Sequence, residues 1–222
     1  MKMKILAFAD IHGSLEAAEK IARLTSTTDA NTVLIAGDIA VNDLNLAEKI
    51  LMKIVSSFNK PAFFVPGNMD PRSLAFFKSD KIKSIHGSCE AIEEEFSIIG
   101  VGGAISFLST PFELTEREIE LTLNEALKTY KQQSLILLSH SPPKNTKLDK
   151  VGVNLHVGSS AIRKFIENKK PILAVSGHIH EARGLDKIGE TLIINPGPAF
   201  QGYYAEIKVN EKKEVEANFL SF

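Results

Sequence analysis

The chain has one cysteine and no tryptophan among its 222 residues. The single cysteine, Cys89, excludes an intrachain disulfide and fits a reducing compartment. We therefore expect a cytoplasmic protein.

Long apolar runs and blocks of like charge are also missing. No apolar run approaches the roughly 20 residues that a membrane span needs, so we expect no membrane partner. The first predicted strand begins within the first four residues, and we therefore expect no signal peptide. The net charge is -1, with both signs spread along the sequence. This distribution gives no electrostatic basis for nucleic-acid binding, and we expect no long duplex nucleic acid as a partner.

The length is sufficient for one substantial core. A chain of this size buries about 70–75% of its unfolded surface on folding. No internal repeat, linker or low-complexity tract divides the sequence. We expect a single domain over residues 1–222.

The first third of the chain alternates short apolar runs with amphipathic helical segments. Strands are predicted at 4–9, 32–36 and 62–65, and helices at about 15–24 and 44–58. This alternation predicts an α/β fold with parallel strand pairing. Ser14 is expected to cap the first helix.

The rest of the chain continues the pattern less regularly. Further strands are predicted at 134–138, 172–175, 191–194, 203–209 and 215–220, and further helices at about 71–77, 115–132 and 160–168. Thr115 and Glu118 form a capping-box pattern at the start of the 115–132 helix. The polar segment 145–155 is expected to be a loop.

Metal-competent side chains follow five of the apolar runs, each at the point where the run ends. They are Asp10, His12, Asp38, Asn68, His140, His178 and His180. In parallel sheets, ligands bind beyond the carboxyl ends of the strands, so we expect these side chains to face one site.

The residue types indicate which metals would suit that site. Carboxylate, imidazole and amide oxygen suit first-row divalent ions such as Mn, Fe, Co, Ni or Zn. The absence of thiolates argues against a structural zinc site. Seven ligands exceed the need of one tetrahedral ion, but they would serve two ions if one carboxylate bridged them.

The sequence resembles the calcineurin-like metallophosphoesterases in five blocks that span nearly the whole chain. The blocks are Asp-x-His at 10–12, Gly-Asp at 37–38, Gly-Asn-x-Asp at 67–70, a lone His140 after a strand, and Gly-His-x-His at 177–180. The small size and the Asn-Pro-Gly at 195–197 look like the compact prokaryotic phosphodiesterase branch. The resemblance implies two facing mixed β-sheets flanked by helices, which is a four-layer αββα fold.

The resemblance also implies a ligand set and a chemistry. One ion would be held by Asp10, His12, Asp38 and His180, and the other by Asp38, Asn68, His140 and His178. Two divalent ions, manganese first among the candidates, would share Asp38 and a hydroxide that attacks phosphorus. Asp38, Asn68 and His140 would then be the catalytic residues, and the substrate would be a phosphate ester, more plausibly a diester of a small molecule or nucleotide than a monoester.

Three departures from the family narrow this interpretation. Residues 39–42 lack the Asp-Arg-Gly block of the protein phosphatases, and Val41 stands where purple acid phosphatases have a ligand tyrosine. Met69 stands where most members have a histidine that helps to protonate the leaving oxygen. Methionine has no proton to give, so slow turnover of alkyl esters is expected unless another residue such as His156 donates the proton. Without the histidine, Asp70 is expected to cap the turn before Pro71.

His156 and Ser159 are the remaining candidates for contact with substrate, because they precede a helix whose N-terminus favours anions.

Two alternative functions stay open at this point. One is a non-catalytic metal-binding scaffold for protein interaction, and the other is a nuclease on the same core. A homo-oligomer is compatible with the sequence.

Overall fold

The structure is a computed structural model that describes residues 2–105, 109–131, 133–153 and 155–222. Two mixed sheets of six strands each account for most of the strands in these residues. In spatial order, the first sheet contains β14 (Val215–Ser221), β13 (Tyr203–Val209), β1 (Met3–Phe8), β2 (Thr32–Ala36), β3 (Ala62–Val65) and β4 (Ile82–Ser84). The second contains β11 (Gly184–Ile188), β12 (Thr191–Asn195), β10 (Leu173–Val175), β7 (Ser134–Ser139), β6 (Phe96–Val101) and β5 (Cys89–Ile92).

The strands that carry the predicted site residues are parallel neighbours in the middle of each sheet. In the first sheet, β1 pairs with β2 and β2 with β3 in parallel. In the second sheet, β10 pairs in parallel with β7 and with β12. The carboxyl ends of these strands therefore meet along one edge, as the sequence predicted.

Helices cover the outer face of each sheet. The α-helices of the described residues are α1 (Leu15–Thr27), α2 (Leu44–Ile54), α3 (Glu116–Leu127) and α4 (Ser160–Lys169). Buried side chains of α1 and α2 pack against the first sheet, and those of α3 and α4 against the second. A third apolar cluster lies between the sheets and includes Ile5 from β1 and Val175 from β10. The layers are thus helices, sheet, sheet, helices, and the predicted αββα arrangement is confirmed.

Alternating residues of β1 show how one strand serves two apolar layers. Leu6 and Phe8 belong to the layer under the helices, whereas Ile5 and Ala7 belong to the layer between the sheets. Because successive side chains of a strand point to opposite faces, a strand buried on both faces is apolar throughout. This explains why the sequence shows continuous apolar runs rather than alternation.

Both predicted helix caps are present. The Ser14 hydroxyl accepts a hydrogen bond from the backbone N–H of Ala17 at 3.1 Å. Thr115 and Glu118 form the capping box, with the Glu118 N–H donating to Thr115 Oγ1 at 3.2 Å and the Thr115 N–H donating to Glu118 Oε2 at 2.7 Å. N-terminal caps are readable from sequence because one side chain satisfies a specific backbone donor.

Several boundaries differ from the prediction. Helix α2 ends at Ile54 rather than at 58, although Val55 and Phe58 are still buried. Helix α3 ends at Leu127, and the predicted last residue, Gln132, lies outside the described residues. In both cases the apolar pattern continues beyond the helix into a turn that packs on the same core. The periodicity therefore predicts a helix that is too long.

Four short elements also depart from the prediction. Residues predicted as a helix after Pro71 form a 3₁₀ turn, Arg72–Phe76. The predicted loop at 145–155 contains two short antiparallel strands, β8 (Lys150–Val151) and β9 (Leu155–His156). Strand β11 was not predicted. It is an edge strand with exposed Leu185, and an edge strand lacks the continuous apolar run of a buried one.

In the described part of the chain, every helix is too short or too polar to cross a lipid bilayer.

Candidate metal centre

Six of the seven predicted ligands converge in two groups at the shared edge of the sheets. We call Asp10, His12 and His180 group one, and Asp38, His140 and His178 group two. Within each group, one ligand atom per residue lies within 4.8 Å of the others. Ligands on opposite sides of one ion, each at about 2.0–2.2 Å, are about 4.0–4.4 Å apart. The spacing therefore fits one ion in each group.

Asp38 joins the two groups. Its Oδ1 lies 3.5 Å from Nε2 of His140 in its own group, and its Oδ2 lies 3.7 Å from Nε2 of His12 in group one. The backbone N–H of Met69 donates to Oδ1 at 2.8 Å and fixes the rotation of the carboxylate. Each oxygen of Asp38 thus faces a histidine of a different group, which is the arrangement a bridging carboxylate requires.

Asn68, the seventh predicted ligand, lies beside His140. The buried Nδ1 of His140 donates to the Ala36 carbonyl at 2.7 Å, so Nε2 of the neutral ring carries the lone pair. That Nε2 is 3.0 Å from Asn68 Oδ1 and 3.5 Å from Asp38 Oδ1. Three acceptor atoms meet here, an arrangement that a cation satisfies. The backbone partner of Nδ1 also sets the ring orientation, as is usual for metal-binding histidines.

Four of the candidate ligands have backbone conformations that L-residues rarely adopt. The φ angles are 54° at Asp10, 50° at His12, 51° at Asp38 and 72° at His178. Non-glycine residues in this region cost of order 1–3 kcal/mol each and are concentrated at functional sites. The surrounding fold therefore holds these side chains at a conformational cost.

Burial keeps two of the histidines neutral. It lowers the pKa of His178 to about 3, and it lowers the pKa of His12 from its usual value. The neutral imidazole is the form that binds a metal ion. The interaction with Asp10 raises the pKa of His180, so protons compete with a metal ion for this ring more strongly than for His12 or His178. Burial acts to raise the pKa of Asp10, but His180 and the other histidines outweigh it and hold this pKa below its usual value.

Glycines allow the two loops that carry Asp38 and Asn68 to approach each other. At Gly37 (φ 86°), an added Cβ would lie 2.7 Å from the Gly67 Cα and would collide with the His140 ring. At Gly67, an added Cβ would overlap the Asp38 carboxylate. The Gly-Asp and Gly-Asn pairs of the sequence are therefore explained by contact between the two turns.

Asp70 has a larger role than the local turn cap predicted from sequence. It is fully buried, and its carboxylate accepts hydrogen bonds from the backbone N–H groups of Ile39 (3.0 Å), Ala40 (2.7 Å) and Gly67 (2.8 Å). It thereby ties the loop after Asp38 to the loop that carries Asn68. Burial, followed by the nearby Asp38 carboxylate, raises the pKa of Asp70 to about 7.

Two further residues support the histidines without any signal in the sequence that assigned them this role. Buried Asn195 donates to the carbonyl of Ile179, which lies between the two histidines, at 2.8 Å. The ring of Phe200 lies edge to face with both His12 and His180, at centroid distances of 5.4 Å. Phe200 is 41% exposed and contacts two of the three residues of group one.

The two predicted substrate contacts, His156 and Ser159, have different surroundings in the structure. His156 is half-buried, and its Nδ1 lies 2.7 Å from Oδ1 of the fully buried Asp149. Ser159 is also fully buried. Its hydroxyl donates to Glu116 at 2.7 Å and accepts from the N–H of Ile162 at 3.2 Å, capping α4. Because the Ser159 hydroxyl is engaged within the protein, contact with a substrate would require it to give up one of these hydrogen bonds.

A family profile described as calcineurin-like phosphoesterase matches residues 3–182 of the chain. The chain is also similar to an uncharacterized protein of Methanocaldococcus jannaschii, with 34% identity over 209 residues that cover 88% of each chain.

Solved structures show the same fold at lower identity. The structure of a Thermus thermophilus protein, TT1561, has a TM-score of 0.75 and 21% identity, and the match covers 97% of this chain and 98% of that one. The structure of a protein described as a novel archaeal phosphodiesterase has a TM-score of 0.55 and 17% identity, covering 98% of this chain and 100% of that one.

Proposed function

Because the chain belongs to the calcineurin-like phosphoesterase family, we propose that it hydrolyses phosphodiesters of small molecules or nucleotides with two divalent metal ions. Manganese is the metal that we expect in preference to the others. The observation that carries the two-ion proposal is the position of Asp38, whose two oxygens face histidines of different groups.

Bound ions would supply a nucleophilic water near neutral pH and neutralise charge on the phosphoryl oxygens. The residues of the chain would hold the two ions and orient the substrate. Asp10, His12 and His180 form one ligand set, and Asn68, His140 and His178 form the other, with Asp38 common to both. We further propose that the side-chain amide of Asn68 donates to a phosphoryl oxygen as charge develops there.

Diesters are preferred over monoesters in this proposal for two reasons. Residues 39–42 and Val41 differ from the patterns of the protein phosphatases and purple acid phosphatases, whose substrates are monoesters. In addition, a protein of the same fold is described as a phosphodiesterase. Manganese, the cytoplasmic location and a homo-oligomeric state stay predictions.

The test is a panel of phosphomonoesters, phosphodiesters and cyclic nucleotides, assayed with Mn, Ni, Co, Zn and Mg in turn. We expect the highest kcat/KM on an activated aryl diester with Mn, together with two ions per chain by elemental analysis. Higher kcat/KM on the matched monoester would contradict the diester preference. Two retained ions without activity on any ester would favour the scaffold, and cleavage of DNA or RNA alone would favour the nuclease.

Substitution of Asn68 tests whether its amide oxygen is a ligand. We expect Asn68→Ala to reduce kcat by more than Asn68→Asp, because aspartate keeps an oxygen 3.0 Å from His140 Nε2 whereas alanine keeps none. Removal of one charge-stabilising donor typically costs about 10²–10³ in kcat. The measurements are kcat and bound metal for both variants. Equal losses of kcat with two ions retained in both would contradict a ligand role for Asn68.

A further inference from the structure

Two histidines lie outside the two metal groups, and each is oriented by a hydrogen bond at Nδ1. The chain has six histidines, and four of them belong to group one or group two. Of the other two, His86 is half-buried, its Nδ1 accepts the Gly102 N–H at 2.9 Å, and burial lowers its pKa to about 4. His86 is therefore unprotonated near neutral pH, which leaves His156.

The partner of His156 is a carboxylate that is itself fixed. Asp149 is fully buried and accepts the backbone N–H groups of Asn145 (3.0 Å), Thr146 (2.8 Å) and Gly158 (3.1 Å) as well as Nδ1 of His156 (2.7 Å). Burial acts to raise the pKa of Asp149, but these hydrogen bonds outweigh it and hold the pKa below its usual value. A charged, fixed carboxylate orients the imidazole with its hydrogen on Nδ1, so that Nε2 is the ring nitrogen not used in this contact.

The β8–β9 pair and the residues that follow it contact both segments that carry second-sheet ligands. On one side, the Ser159 N–H donates to the carbonyl of Pro142, two residues after His140, at 2.9 Å. On the other side, β8 packs against the 3₁₀ turn His180–Ala182, which begins with a group-one ligand. His156 is the cross-strand partner of Lys150 in β8.

In the loop at 67–70 that carries Asn68, no side chain is placed to give a proton to a leaving group, because Asp70 is fully buried and both of its oxygens accept backbone N–H groups. Met69 follows Asn68, and its backbone N–H is already used by Asp38. A thioether has no proton to donate. A phosphoesterase with this loop therefore lacks an acid on the side of Asn68.

We propose that His156 is the general acid of this site and that Asp149 is its positioning residue. This inference rests on the proposed phosphodiester hydrolysis. Water adds to phosphorus as the bond from phosphorus to the leaving oxygen breaks. The leaving oxygen takes the proton from Nε2 of the His156 imidazolium, and the proton lost by the attacking water returns to His156 through solvent.

If His156 is the general acid, its removal must lower kcat by an amount that depends on the leaving group. An alkoxide leaves poorly without a proton, whereas a phenolate with electron-withdrawing groups leaves without help. Acid assistance from a positioned side chain is typically worth about 10²–10⁴-fold. Wild-type protein is therefore expected to show a shallow dependence of kcat on leaving-group pKa, in contrast to the slow alkyl turnover that Met69 alone predicts.

The experiment is a series of methyl phosphodiesters with leaving groups from 4-nitrophenol through phenol to methanol, assayed with Mn-loaded protein. We expect His156→Gln to keep kcat on the 4-nitrophenyl diester within about threefold and to lose about 10²–10⁴-fold on the dimethyl ester. Asp149→Asn is expected to show the same selectivity with a smaller loss, and an unchanged KM. Both variants should retain two ions.

Leu155→Gln is the matched control. Leu155 is the neighbour of His156 in β9, is 65% exposed and points to the opposite face of the strand. Its leaving-group dependence should equal that of wild type. Equal loss by His156→Gln on all esters, or no loss on the dimethyl ester, would overturn the acid role while leaving phosphodiester hydrolysis intact. Wild-type protein that holds two ions but hydrolyses no ester would overturn both proposals.

Discussion

Asp38→Ala is expected to abolish hydrolysis of every phosphate ester and to lower bound metal to one ion per chain or none. The reason is geometric, because Asp38 is the residue whose two oxygens face histidines of both groups. Each ion would lose a ligand, and the repulsion that the carboxylate offsets between the two ions would increase. The measurements are kcat on an activated aryl diester and elemental analysis of purified protein.

The comparison that isolates bridging is with Asp10→Ala. Asp10 belongs to group one alone, so this variant is expected to weaken one site and to keep the ion of group two. Two ions retained by Asp38→Ala, with activity near that of wild type, would refute the bridging role of Asp38.

Asp70→Ala is expected to produce the largest loss of folding stability. Three backbone N–H groups, those of Ile39, Ala40 and Gly67, would lose their acceptor. An unsatisfied buried donor costs about 1–3 kcal/mol, so the expected decrease in the free energy of unfolding is about 3 kcal/mol or more. Since the same groups position the loops of Asp38 and Asn68, activity should fall as well, by about 10–100-fold.

Denaturant unfolding of the metal-loaded protein measures this effect. Asp70→Asn should lose less stability, because its one carbonyl oxygen can still accept from part of the three donors. Asp80→Ala is the control at an exposed aspartate, where a change within about 0.5 kcal/mol is expected. An unfolding midpoint of Asp70→Ala equal to that of wild type would contradict the role assigned to Asp70.

The sequence was most informative where chemistry and local pattern coincide. Each candidate ligand directly follows an apolar strand, and parallel neighbours must present their carboxyl ends at one edge, so convergence was predictable. The sequence could not indicate Asp70 as the tie between two loops, since its partners are backbone N–H groups of residues 31 and 30 positions away. Backbone donors are the same in every residue type and leave no trace in the sequence.

Asp149 and Phe200 were missed for related reasons. Asp149 lies in a segment whose polarity is typical of a loop, and its burial is visible only once Thr146, Gly158 and His156 close around it. Phe200 follows a proline-rich turn after β12, and its contact with His12 joins residues from opposite ends of the chain. Such contacts depend on the final packing of the two sheets and not on the residues adjacent in sequence.

Each metal group takes its members from both sheets, so a bound ion would link one sheet to the other. Group one joins Asp10 after β1 to His180 after β10, and group two joins Asp38 after β2 to His140 after β7. An ion in either group would therefore act as a cross-link that closes a loop of more than a hundred residues. Binding to the folded state alone stabilises it by about 2.7 kcal/mol at a free metal concentration 100 times Kd. Removal of the ions by a chelator would thus weaken the association of the two sheets as well as abolish catalysis.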